Sequence, residues 1–514
     1  MSHPEHAVPG PEAHRARPAP KTAHILAAGL RRRILNGGLE VGHRLPPETE
    51  LSATLDVSRE TLREALRILE SQSLVEMRRG RGGGAVVRRP DPISAGRYVA
   101  LLLQVRGATA ADLRTARMTL ELAAAQRFAE TSGEEGLDYL TALHEAERAA
   151  AGDPLTFATA SAVFDQGVVE LSGNRCLAVL TGVLRETCKG RMYAALESAD
   201  PAARTAATRR ILAAHNDFLE AARRRDGPRA RRAYLDHLER THRLVAGSRD
   251  RRAVDITPMW RAQLDRAAGD RSQRAATIVA TDIRSRIADG RLGAGSRLPR
   301  AADLTAEFGV SRPTLREGLR ILETEQLLDL RAGERGGATI RHPTALVAAQ
   351  LAGTVLESRH ITLADFSRTL RMIEPLMMRA AATGPGPASP AGLRELESEL
   401  ALHICDTEQF VRSWRRAVFV ILGGIRNPAL AVVAEMLQWV RAGTEAAVAA
   451  GAADLPAVAT TNRKAQAMFA ELVGALTEHD GDRAESVWAE CLHTNSLFIE
   501  CSDLGRRLVV DIVE

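Results

Sequence analysis

The chain has 514 residues, of which 45% are hydrophobic and 26% charged, with a formal net charge of +5. That length exceeds what one hydrophobic core supports and fits two to four domains, while no run of about 18 apolar residues offers a membrane span, so a cytoplasmic place is expected. The charge is compatible with nucleic acid without requiring it, because 69 basic residues face 64 acidic ones and all but Lys21, Lys189 and Lys464 of the basic residues are arginine.

Residues 1–21, rich in Pro, His and Ala and without an apolar stretch, read as a disordered tail. Residues 22–90 read as a small unit. Ala23 to Leu35 carries Ile25, Leu26, Leu30, Ile34 and Leu35 at helical spacing and stops at Asn36-Gly37-Gly38. Leu45-Pro46 leads into a second helix to about Leu55, and Ser58 is a good N-cap for a third helix to about Ser71. Leu74 to Met77 and Ala85 to Val87 look like strands joined by an Arg/Gly-rich tip, which completes a winged helix-turn-helix.

Residues 91–246 hold amphipathic segments separated by turn chemistry, from Leu113–Glu130 to Pro228–Val245, and read as an all-α bundle. A connector is expected over 247–272. The plan then recurs, with a second winged unit at 273–342 and a second bundle at 343–514, so the fold class is mainly α. Cys176, Cys188, Cys405, Cys491 and Cys501 lack CxxC spacing and are expected as reduced thiols.

The recurrence is literal. Val57 to Glu64 returns as Val310 to Glu317, 253 residues on, and Leu51–Val75 matches Leu304–Leu328 at 15 of 25 positions without a gap. A period this long indicates tandem duplication and not a stacked solenoid. In each copy two arginines four apart share one helix face with a threonine nearby (Arg59, Thr61 and Arg63, then Arg312, Thr314 and Arg316), as a helix presented to a DNA major groove requires.

On these residues, together with Leu45-Pro46, Leu298-Pro299 and the glycine-rich tips Gly80–Gly84 and Gly333–Gly337, both halves resemble the GntR family of bacterial transcription regulators. The bundles resemble the family's FadR-type effector domain, called FCD. The resemblance implies operator contacts by Thr49, Ser58, Arg59, Thr61, Arg63, Arg81 and Gly82 in the first copy and by Ser311, Arg312, Thr314 and Arg316 in the second. Thr49 and Ala302 stand where the family has an arginine on the second helix, and Glu334-Arg335 replaces Arg81-Gly82, so heads of unequal strength are expected.

The resemblance further implies a small organic-acid effector met by Arg117 and a divalent metal (zinc, manganese or nickel) in the first bundle only. The transferred ligand positions are Ser161, Asp165, His215 and His237. Of these, Asp165, His215 and His237 are able to ligate. In the second bundle the same positions read Trp414, Val418, Phe469 and Cys491, and Arg117 becomes Leu370, so that bundle is expected to lack both metal and guanidinium and to act as a structural partner.

The function implied is a sequence-specific regulator of double-stranded operator DNA, nucleoid-associated. Either the two halves pair within one chain as a pseudo-dimer, or whole chains form a homodimer. Differences such as Glu60 against Pro313 and Ala65 against Gly318 suggest an imperfectly palindromic operator. The alternative is an effector-independent repressor or architectural protein. Enzyme readings fare worse: neither Lys189 nor Lys464 sits in a cofactor-binding context, and a hydrolase built on Asp165, His215 and His237 lacks a recognisable general base.

Overall fold

A computed structural model of the chain describes residues 22–72, 74–78, 84–88, 90, 92–247, 256–266, 271–330, 337–384, 389–453 and 458–509. The first half comprises α1 (Thr22–Leu35), α2 (Glu48–Thr54), α3 (Arg59–Ser71), β1 (Val75–Arg78), β2 (Gly84–Val87), α4 (Pro92–Val105), α5 (Ala110–Thr131), α6 (Glu134–Ala149), α7 (Pro154–Leu171), α8 (Arg175–Ser198), α9 (Pro201–Arg223) and α10 (Gly227–Gly247). Next come α11 (Thr257–Arg266), α12 (Arg271–Ala288), α13 (Ala301–Phe308), α14 (Arg312–Thr324), β3 (Leu328–Leu330) and β4 (Ala338–Ile340). The second bundle contains α15 (Ala345–Ser358), α16 (Leu363–Ala382), α17 (Pro390–Leu402), α18 (Thr407–Leu422), α19 (Pro428–Ala453), α20 (Val458–Thr477), α21 (Gly481–Cys501) and α22 (Asp503–Arg506).

Each winged unit is three helices closed by an antiparallel ribbon, with Val75 opposite Val87 in the first and Leu328 opposite Ile340 in the second. The third helix starts where its cap dictates: the Ser58 Oγ accepts from the Thr61 N–H at 3.0 Å, and Ser311 repeats this with Thr314 at 3.3 Å. Leu62, Leu66 and Leu69 then recur at three- and four-residue steps and bury against Leu30, Ile34, Leu51 and Val87. Ile25 does not join them. It is 59% exposed, because its position on α1 faces away from α3.

Two helices depart from the sequence reading. α4 carries apolar residues nearly all round and is buried from Tyr98 to Leu103, so it lacks the one-sided pattern that marks a surface helix. α11 falls inside the stretch read as a connector and buries Ile256, Met259 and Trp260 against α8 and α12. Its seat depends on Gly190, where an added Cβ would lie 2.6 Å from the Ile256 side chain.

The halves pack through equivalent elements. α4 lies on α15 and α5 on α16, while α8 meets α15 and α16 and α19 meets α4 and α5. Polar links reinforce this junction, among them Arg106 to Glu435 at 2.6 Å and Asn427 Nδ2 to the Asp112 carbonyl at 3.0 Å. Each winged unit also reaches across: Arg31 on α1 donates to the buried Glu357 of α15 at 2.8 Å, and α12 packs on α4.

Candidate functional site

The residues expected to meet DNA divide by how free they are. Arg59, Arg312 and Arg316 are exposed. Arg63 is also exposed but donates to Glu48 of α2 at 2.8 Å. The place of Glu48 is taken by Ala301 in the second copy, and Arg316 has no ion pair among the described residues. Ser58 and Thr61 tie their hydroxyls together at 2.8 Å, as do Ser311 and Thr314; Thr314 is only 9% exposed, so little of it is offered to a partner. Thr49 is exposed on α2, and Arg81 and Gly82 lie outside the described residues.

α3 and α14 touch one another, with Arg320 donating to Glu70 at 3.1 Å. The Ala65/Gly318 difference is one of packing and not of base reading. Ala65 is buried, and a Cβ at Gly318 would lie 2.8 Å from the Ala276 carbonyl and 3.1 Å from Val279 of α12.

The second constellation is buried in the first bundle. α7 supplies Asp165, α9 His215 and α10 His237, and three ligand-type atoms converge. Asp165 Oδ1 is 3.1 Å from His237 Nε2 and 3.6 Å from His215 Nε2, and the two Nε2 atoms are 3.4 Å apart. A tetrahedral ion bound at roughly 2.0–2.1 Å places its ligand atoms about 3.3 Å apart, so the donor set fits a divalent metal. His237 Nδ1 is buried without a hydrogen-bond partner, and the ring of His215 is stacked on Phe164 with centroids 4.0 Å apart.

Carboxylates and a guanidinium surround this core. Glu147 of α6 accepts from His215 Nδ1 at 2.8 Å and from His144 at 3.2 Å, which turns His215 Nε2 toward Asp165. Burial acts to raise Glu147, but the charge of His215 and the bonds from both histidines hold it at about 2. Burial likewise works against a charged His215, yet Glu147 and Asp165 raise it to about 9. Burial lowers His237 to about 4, so this ring is neutral at pH 7. Arg117 donates to Glu121 at 2.8 Å and to Asp165 at 2.7 Å, and Tyr234 donates to Glu121 at 2.9 Å.

A cavity of about 20 Å³ beside Arg117, Asp165, Gln166, Arg185 and Cys188 has room for about one water. Cys188 is held as a thiol, because burial pushes it up to about 12 despite the charge of Arg117. Glu147, His144 and Tyr234 were missed in the sequence. The available signal was the pair His144 and Glu147, three apart on one helical face.

In the second bundle the expected loss of a guanidinium is corrected. Arg441, which stands where the first half has Cys188, donates to the buried Glu374 at 2.9 Å, joined by Gln438 at 3.2 Å and the Trp488 indole at 3.3 Å. Arg117 has in effect moved from α5 to the equivalent of α8, with Leu370 left in its old place. Trp414, stacked on Trp488 at 5.4 Å and set against Phe469 at 5.7 Å, fills the volume that the first half gives to Asp165 and the histidines.

Comparison with known proteins agrees with this layout. The family model "Bacterial regulatory proteins, gntR family" matches residues 22–84 and again 275–337, and the FCD domain matches 112–240. The HTH-type transcriptional repressor NanR of Edwardsiella tarda is 30% identical over 237 residues, which is 45% of this chain and 86% of that protein. The putative HTH-type transcriptional regulator RmpR of Mycobacterium gastri is 44% identical over 80 residues; this covers 15% of the chain and only 29% of the length of RmpR. Among solved structures, Streptococcus agalactiae GntR is 25% identical with a TM-score of 0.33, covering 43% of this chain and 99% of that one.

Proposed function

The chain belongs to the gntR family of bacterial regulatory proteins, and we propose that it reads operator DNA with both winged units of a single polypeptide under the control of one metal-holding bundle. That it is a DNA-binding transcriptional regulator with an FCD domain, and not an enzyme, follows from the family. Among the described residues no helix is long and apolar enough to cross a membrane. The place of action proposed is the nucleoid, in the cytoplasm.

The two halves act as an intramolecular pseudo-dimer. The support is the reciprocal packing of α4 on α15 and α5 on α16, together with the Arg320–Glu70 contact between the two recognition helices. Arg59 and Arg63 in one unit and Arg312 and Arg316 in the other meet the operator, with Thr49, Ser58, Thr61, Arg81, Gly82, Ser311 and Thr314 beside them. Arg63→Ala and Arg316→Ala, made separately, are each expected to weaken specific operator binding, with the larger loss for Arg316, which has no Glu48-like tether to release. If neither change weakens it in a footprint titration, the two-headed reading fails.

The observation that carries the sensor is the convergence of Asp165, His215 and His237 at tetrahedral spacing in the first bundle, against the aromatic filling of the second. A divalent metal held there supplies a Lewis-acid point of attachment for a carboxylate effector. His237 is neutral and ready to ligate, His215 is oriented by Glu147, and Arg117 is placed to pair with an anion when it exchanges Asp165 for the effector. Thermal-shift screening with organic acids plus Zn²⁺, Mn²⁺ or Ni²⁺ is expected to show stabilisation that His215→Ala abolishes.

The second reading, an effector-independent repressor or architectural protein, is favoured by the small cavity and by the engagement of Arg117 with Glu121 and Asp165. Absence of any shift in that screen would select it.

A further inference from the structure

The same helical hairpin turn occurs once in each bundle, and its charge is inverted. Between α9 and α10 the chain runs through Arg225 at φ 56°, Asp226 and Gly227; between α20 and α21 it runs through His479 at φ 57°, Asp480 and Gly481. Asp226 accepts from the Arg229 N–H at 2.9 Å and Asp480 from the Arg483 N–H at 3.0 Å, so the two turns share one construction. Their surfaces differ.

The first turn presents Arg224, Arg225, Arg229, Arg231 and Arg232, all exposed and none in an ion pair among the described residues. At the positions equivalent to Arg224, Pro228 and Arg231 the second turn has Glu478, Asp482 and Glu485, and the side chains of Glu478 and Asp482 are 64% and 81% exposed. Arg483 and Arg379 neutralise part of that acidity, and an excess of carboxylate remains.

These complementary surfaces belong to opposite sides of the junction. α9 and α10 pack on α5 and α6, and α20 and α21 on α16 and α17 or α18, whereas the halves are joined by α4, α5 and α8 with α15, α16 and α19. Pairing of the basic turn with the acidic one would therefore join two molecules. We propose that the α9–α10 turn of one chain docks on the α20–α21 turn of a second copy, giving a head-to-tail association. Such a contact is heterologous, joining two different surfaces, and builds a closed ring or an open chain according to the rotation between copies. A DNA backbone would also suit the arginines, but it leaves the matching acidic turn without a role. The proposal stands on the charges alone and does not depend on the operator or metal readings.

The contact is electrostatic and solvent-exposed, so it is strong at low salt and screened at high salt. The test is the weight-average mass of the full chain by light scattering. For the unmodified chain the mass is expected to rise about twofold or more with concentration in roughly 50 mM salt and to fall back by about 0.5 M. Arg224→Glu/Arg231→Glu/Arg232→Glu and, separately, Glu478→Arg/Asp482→Arg are each expected to keep the high-salt mass at every salt concentration.

Mixed in equal amounts, the two variants carry turns reversed toward acidic and toward basic respectively, so each supplies the complement that the other lacks, and they are expected to associate again. Melting curves matching the unmodified chain confirm folding. Should a reversed variant fail to fold, Arg→Gln at the same three positions and Glu478→Gln/Asp482→Asn carry the same test of lost association. A salt-independent mass, variants that associate as the parent does, or a folded pair that does not recover association on mixing overturns the proposal. So does loss of random-sequence DNA affinity in the arginine variant with no change in mass, which would assign the turn to DNA.

Discussion

His215 is where most of the chemistry of the first bundle converges, because its two nitrogens face different partners. Nδ1 is bound by Glu147, and Nε2 faces Asp165 and His237. Its pKa is raised to about 9 in the fold from an ordinary value of 6.5, so its stabilising contribution is complete below about 6.5 and lost as pH rises through 9. Glu147, held at about 2 against an ordinary 4.5, contributes above about 4.5 and loses that contribution as pH falls through 2. Thermal melts from pH 4 to 10 should show an alkaline fall that Glu147→Gln flattens. A metal must displace the proton on His215, so affinity should climb about tenfold per pH unit between roughly 6.5 and 9. Calorimetry that finds no proton release over that range would remove His215 from the ligand set.

Among the elements, α3 and α14 were the most legible: a serine cap, a strong apolar stripe and an arginine face all agree. What the sequence did not convey is how closely each packs. Gly318→Ala would push a methyl group into the Ala276 carbonyl and Val279, and this overpacking should cost about 1–3 kcal/mol of stability. Ala65→Gly, by contrast, is expected to cost only about 1 kcal/mol through helix propensity and a small void. Denaturant titration of the two variants distinguishes a packing role from base reading, since neither change should alter operator preference beyond its effect on folding. α4 and α11 are illegible in the sequence for opposite reasons: one is apolar on too many sides to show a period, and the other is short and lies in a charged stretch.

For the whole molecule, the cross-connections decide whether two heads act as one. Arg31 joins α1 to the buried Glu357 of α15, Arg320 joins α14 to Glu70 of α3, and Leu508, beyond α22, packs on the core of the first winged unit. Burial pushes the Glu357 carboxyl up even beside Arg31, so protonation offers it partial relief when the partner is lost. Arg31→Ala is therefore expected to cost about 2–3 kcal/mol, below the full penalty for an uncompensated buried charge. Faster amide exchange in α1 with the α5–α10 bundle unchanged is the outcome that checks it; unchanged exchange in α1 would mean that Leu508 and the apolar contacts hold the unit in place.

The duplication, the two winged units and the mainly α class are legible in the sequence alone, because caps, periodicity and repeated motifs are local and survive without coordinates; Asp165, His215 and His237 as candidate ligands came only through the family resemblance. Only the tertiary structure decided that Glu147 orients His215, that Arg441 replaces Arg117 beside Glu374, and that Trp414, Phe469 and Trp488 fill the second site. Each of these joins residues from different helices, tens of positions apart, and side chains that converge from separate helices leave no spacing in the sequence to read.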